Sequence, residues 1–332
     1  HAVAQDLDDR SWWWWSRIAG RPLLATLLLG FVALCCYLPG QLNLPAIDRT
    51  EGTVALSSRY VMETGDVQRP RWRHNVQRTR PVATFCAQAL SLAGHDKSRW
   101  NDISTYRLPS LLATLLAVLL MFWMTRHLFG PVPALMASSA VAVTPIITLH
   151  AQLAIAEPLI LPSIVVVQFA LLAIYRDREA ACWWGWLGAF WLAAGISTAF
   201  NALSVPLLAL VTVVTLAALD RRWDLFRRLQ PWFGLPLLAI LALPWLASAA
   251  AIDDGALYRD LGWRAILDAL EGGQSMNFKT IHGVFLLTIV LGFVPVAHML
   301  GPAVAGSWRG RHDPTLRFLL VWLIAPLVAL EL

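Results

Sequence analysis

The chain has 332 residues, of which 58% are hydrophobic and 14% charged, with a mean hydropathy of +0.58. Soluble globular chains average about half apolar and about a quarter charged. A water-soluble enzyme is therefore excluded, and so is a disordered chain, which needs few apolar residues and many charges. The net charge is +5, and only Lys97 and Lys279 among the 26 basic residues are not arginine. Arginine suits bidentate contacts to phosphate and carboxylate. Cys35, Cys36, Cys86 and Cys182 show no metal-ligand spacing and read as free buried thiols.

The first apolar segment begins near Pro22, behind an aromatic cluster at Trp12–Trp15 that fits a membrane-interface belt. It reads as a retained anchor rather than a cleaved signal. A spanning helix needs about 20 apolar residues. Nine segments qualify: 22–39, 108–125, 131–148, 155–175, 183–200, 203–219, 232–250, 284–304 and 317–332. Arg126, Arg176/Arg178, Arg221/Arg222/Arg227/Arg228 and Arg309/Arg311 fall in alternate short loops, and Arg10, Arg17 and Arg21 on the same side. The positive-inside rule places these in the cytoplasm. The expected fold is thus an all-α polytopic membrane protein, a single transmembrane domain with outer loops at 40–107 and 251–283.

The first outer loop has internal order. Glu51–Thr64 reads as a helix stopped by Gly65, with Glu51 in its first turn where a carboxylate complements the dipole. Pro81–Leu92 reads as a second, largely apolar helix. Both are too short to span and are expected along the interface.

Four groups of residues carry candidate chemistry. Asp48 and Glu51 lie three apart at a helix start beside the membrane, as a base or a metal ligand would, or simply as a cap. Five arginines in twelve residues, from Arg69 through Arg78 and Arg80, suit phosphate oxygens or anionic headgroups. Arg107 starts the second span, where snorkelling to the interface is the plain alternative. Glu157 begins the fourth span, and an ionisable group at such a depth is a functional candidate.

Three stretches carry a family resemblance: "PAIDRTEGTVALSSRYVMETGD" from Pro45, "RPVATFCAQALSLAG" from Arg80 and "YRLPSLLATLLAVLLMFWMTRHLFG" from Tyr106, continued by "AQLAIAEPLIL" from Ala151. Together they resemble the C-type (GT-C) membrane glycosyltransferases, in particular the aminoarabinose transferases and protein O-mannosyltransferases. The resemblance implies a transmembrane bundle with interfacial helices in the first extracytoplasmic loop. It implies transfer of a sugar from a polyprenyl-phosphate donor to a lipid or protein acceptor, with inversion, at the outer face of a bacterial inner membrane. Asp48 or Glu51 would act as base or orienter, with Glu157 assisting the acceptor or a metal. Arg59, Arg78, Arg80 and Arg107 would hold the donor phosphate. No cofactor is fixed, although some members use a divalent metal. The family's late motif and C-terminal domain lie beyond Leu332.

Against the family pattern, Thr50 stands at the usual aspartate and Thr79 at the usual glutamate. Ala199–Phe200–Asn201 stands at a usual lysine, and Asn277 at a histidine. A threonine hydroxyl is not a useful base without a partner. These changes raise a second expectation, a catalytically silent relative acting as a lipid-binding or structural subunit of a membrane complex. A transporter is a third, less favoured because no repeated halves with broken helices are visible. Nothing points to nucleic acid.

Overall fold

A computed structural model describes residues 16–47, 49–67, 71–72, 75–76, 82–176, 183–201, 203–252, 284–294 and 296–331. The helices are α1 (Pro22–Asn43), α2 (Arg49–Thr64), α3 (Val82–Ala93), α4 (Ile103–Phe129), α5 (Pro131–Ala142), α6 (Pro145–Ala151) and α7 (Glu157–Arg176). They continue as α8 (Trp183–Asn201), α9 (Ser204–Asp220), α10 (Asp224–Arg228), α11 (Pro231–Ile252), α12 (Val284–Gly292), α13 (Leu300–Arg309) and α14 (Pro314–Glu331). Between α2 and α3, Arg71–Trp72 pairs antiparallel with Asn75–Val76.

The sequence explains the helix faces. In α1 Ala25, Leu29, Ala33, Tyr37 and Gln41 are buried at steps of four, with Gly40 buried beside them, while Leu23, Leu27 and Phe31 are exposed. Small residues let α1 approach α4, α5 and α6 closely, and large apolar ones face the hydrocarbon. Asp102 caps α4 by accepting from the Ser104 N–H (3.1 Å), and Gly130 closes it at φ 87°. Gly65, at φ 71°, ends α2.

Two apolar cores result. One joins α1, α4, α5 and α6 around Leu29, Phe122 and Leu135. The other joins α7, α8, α9 and α14 around Leu171, Leu187, Leu216 and Phe318. Packing of α4 on α7 connects them. Within the second core, Trp191 of α8 donates its indole N–H to the Leu229 carbonyl at 2.7 Å, and Gly234 of α11 lies against that ring. A Cβ at Gly234 would fall on the indole, which is held in place. Gly234→Ala is therefore expected to cost about 1–3 kcal/mol through overpacking. Thermal melting in detergent checks this, and an unshifted midpoint would refute it.

Two of the nine expected spans are interrupted. The expected 131–148 segment is the pair α5 and α6, bent by 63°. Thr144 is extended there (φ −65°, ψ 127°), the conformation imposed on a residue that precedes a proline, here Pro145. The expected 284–304 segment breaks between α12 and α13 at a short 3-10 turn, Val296–Met299. By length and composition, three described helices (α1, α4 and α7) can cross a membrane, or four if the bent pair counts as one. Helix α9 and the stretches Pro231–Leu243 of α11 and Pro314–Val328 of α14 are shorter apolar segments. Cys35 is exposed on the outer side of α1 and Cys36 and Cys86 are half-buried, so the expected full burial of the thiols does not hold for these three.

Candidate functional site

Polar groups gather at the two ends of α4 and α7. At one end, Arg126 donates to the Ala19 carbonyl (3.0 Å), Tyr175 donates to Asp220 (2.6 Å), and Arg317 pairs with Asp220. These are the loops that the charge rule groups together. At the other end lie the close of α1, the start of α2, the start of α4 and the turn before α7.

The centre of that second end is a clasp between Glu51 and Arg107, both side chains 0% exposed. Arg107 Nε meets Glu51 Oε1 at 2.7 Å and Nη2 meets Oε2 at 3.0 Å, a bidentate fork. The remaining donors of Arg107 reach backbone carbonyls at the end of α1: Nη1 to Leu44 (2.7 Å) and Gly40 (3.4 Å), and Nη2 to Pro45 (2.9 Å). All five guanidinium N–H groups are thereby spent on the protein. Glu51 is saturated in the same way. Its Oε1 also accepts from the Ala154 N–H (2.9 Å) and its Oε2 from the Ile47 N–H (3.2 Å). Burying two charges is expensive, and it is tolerated because the pair is closed and every lone pair and proton is met.

Next to the clasp, Gln152 donates to the Cys36 carbonyl at 3.0 Å. Its side chain fills the space that a Cβ at Gly40 would take, so α1 approaches α6 only because residue 40 is glycine. Gln41 donates to the Ser104 carbonyl at 3.0 Å. Between α2 and α3, Ser58 donates to Gln88 (2.8 Å) within a buried apolar contact of Val54, Val61 and Phe85. Thr84 of α3 donates to the Phe200 carbonyl at the end of α8 (3.3 Å), so the Ala199–Phe200–Asn201 stretch does reach the first outer loop.

The expected site residues therefore separate. Glu51 and Arg107 come together, but Arg107 keeps no donor for a lipid phosphate and does not snorkel. Arg59 lies on α2, where it bonds to Glu63 (2.7 Å) and Asn101 (2.7 Å) at the surface. The Glu63 bond holds its guanidinium further toward the charged form. Glu157 is half-buried in the first turn of α7, three residues from the Ala154 N–H that meets Glu51. Thr50 is half-buried in the first turn of α2. Asp48, Arg78, Thr79, Arg80 and Asn277 lie outside the described residues. Among the described residues no three or more His, Cys, Asp or Glu side chains are placed to hold a metal ion. With both Glu51 oxygens already occupied, the described residues do not fit a divalent metal. The sequence reading missed the carbonyls of Gly40, Leu44 and Pro45 and the N–H of Ala154, because backbone groups leave no mark in a sequence.

This geometry sits in a fold with solved counterparts. ArnT from Cupriavidus metallidurans in its apo state superposes with a TM-score of 0.74 at 18% identity, over 92% of this chain and 58% of that one. The same protein bound to undecaprenyl phosphate gives 0.77 at 19% identity, over 92% and 55%. The chain is thus a membrane protein with the C-type glycosyltransferase fold. Residues 84–247 also match the dolichyl-phosphate-mannose-protein mannosyltransferase family model.

Among curated proteins the chain is similar to aminoarabinose transferases. The undecaprenyl phosphate-alpha-4-amino-4-deoxy-L-arabinose arabinosyl transferase of Pseudomonas paraeruginosa is 26% identical over 260 residues, 76% of this chain and 45% of the relative. The enzyme of that name from Edwardsiella ictaluri is 26% identical over 321 residues, 93% of this chain and 54% of the relative. The chain spans about half the length of the curated relatives it matches.

Proposed function

We propose that the protein transfers a sugar from a polyprenyl-phosphate donor to a lipid or protein acceptor, at the membrane face that carries the Glu51–Arg107 clasp. The observation that carries this reading is the clasp itself. It joins the end of α1, the start of α2, the start of α4 and the turn before α7 at one face. Asp48 and Glu157 each lie three residues from a clasp atom's residue, so their Cα atoms are tethered within about 11 Å of it. A fixed centre with carboxylates three residues along the chain, at Asp48 and Glu157, and followed in sequence by the arginine-rich stretch from Arg69 to Arg80 suits such a transfer. The relatives' names and the undecaprenyl phosphate bound by ArnT support the donor class. The charge rule makes this face the periplasmic one.

In the step we propose, Asp48 takes the proton of the acceptor hydroxyl and the acceptor oxygen bonds to the anomeric carbon. The bond from that carbon to the phosphate oxygen breaks, and the electron pair leaves with the polyprenyl phosphate. Arg78 and Arg80 hold the departing charge. Glu51 and Arg107 position the loop and do not touch the substrate. No step passes through a metal.

The test is transfer by the purified full chain, supplied with undecaprenyl-phosphate-linked aminoarabinose and lipid acceptor, before and after Arg80→Ala. Product from the parent protein, reduced at least about tenfold in the variant, is expected from loss of a charged hydrogen bond. Donor lipid that binds but is never consumed would replace this reading with the lipid-binding, catalytically silent one.

A further inference from the structure

The last described helices border an open apolar groove. It runs where α12, α13 and α14 meet and has a volume of ≈ 590 Å³. That lies within the roughly 300–1,000 Å³ of sites that bury a small ligand. Ile289, Val304, Ala305, Ile324 and Leu327 line its walls. Small side chains on α13 leave it unfilled, and Ile324 is 39% exposed along it.

One end of the groove differs from the rest. Arg309 lines it, and no acidic residue does. The Arg309 guanidinium makes no hydrogen bond or ion pair among the described residues. Two residues on, Arg311 lies over the Trp308 ring at 5.3 Å from its centroid and donates to the Trp308 carbonyl (3.2 Å). Asp313, in the same turn, faces the Thr315 N–H at 2.7 Å rather than either arginine. The Arg311 carbonyl accepts from Arg317 (3.0 Å), which pairs with Asp220 beside Tyr175. This end therefore lies at the membrane face opposite the Glu51–Arg107 clasp. An apolar channel between hydrophobic helices, lined at one end by Arg309 and Trp308 with Arg311 stacked on that tryptophan, has the charge and polarity order of an anionic lipid.

We propose that this groove holds an acyl chain of one anionic phospholipid whose phosphate rests on Arg309 and Arg311. The site is separate from the donor site and does not depend on the transfer reading. A zwitterionic lipid fills the same groove less well, because its own cation meets the arginines.

Native mass spectrometry of the full chain, delipidated and mixed with equal phosphatidylglycerol and phosphatidylcholine, tests this. One phosphatidylglycerol is expected to stay bound under activation that strips phosphatidylcholine. The pair Arg309→Gln and Arg311→Gln is expected to weaken its retention at least about tenfold. Ala305→Trp, which fills the groove, is expected to remove it. Equal retention of the two lipids, or retention unchanged by the arginine pair, overturns the proposal. Arg309 makes no hydrogen bond or ion pair among the described residues, so Arg309→Gln alone decides the matter even if Ala305→Trp fails to fold or Arg311→Gln loosens Trp308.

Discussion

Replacing Arg107 by methionine is expected to cost about 3–5 kcal/mol of stability, because it strands the Glu51 carboxylate in a site closed to water. The lost fork leaves the Leu44 and Pro45 carbonyls unmet as well, and each buried orphan adds to the penalty. The double variant Glu51→Leu with Arg107→Met removes both charges and is expected to recover much of the loss, since a buried pair exchanged for apolar groups is often near neutral. Melting midpoints of the two single variants and the double variant supply the cycle. Additive losses would show that the two side chains do not act as one unit.

Transfer itself is expected to fall about 100- to 10,000-fold on Asp48→Asn, the range that a positioned general base contributes. Melting should be unchanged, which separates this variant from Glu51→Gln. The Glu51→Gln change removes a charge from a closed pair, so it is expected to lower stability and activity together. A fully active Asp48→Asn protein would remove Asp48 from the reaction and shift the search for the base to Glu157.

These two expectations mark how far the sequence reads into the site. The architecture was legible because membrane helices must satisfy their backbone internally and bury an apolar surface, and both demands appear as long apolar runs. The interfacial helix α2 was legible from Glu51 in its first turn and from Gly65 at its end. The elbow at Thr144 was not, because the 131–148 run is apolar throughout and only Pro145 hints at the break. Among site residues, Glu51 and Arg107 stood out by charge in apolar surroundings. Their partnership across 56 positions did not, since spacing along the chain says nothing about which distant turn supplies the counter-ion. The sequence made Arg107 a phosphate ligand and Glu51 a base, whereas burial makes them each other's partner.

The clasp also sets an order of events during synthesis. Glu51 meets Arg107 only after 56 further residues have been made, and the Ala154 N–H only after 103. Until the α5–α6 elbow has been delivered and the turn behind it has closed, the first outer loop lacks its full fastening. Arg107 meanwhile leads α4 into the bilayer with one partner fewer for Glu51. The ribosome therefore releases a fastened outer loop only when four separate elements have arrived. A lesion as remote as the turn at Ala154, which reaches Glu51 only through a backbone N–H, can leave the loop open in the newborn chain.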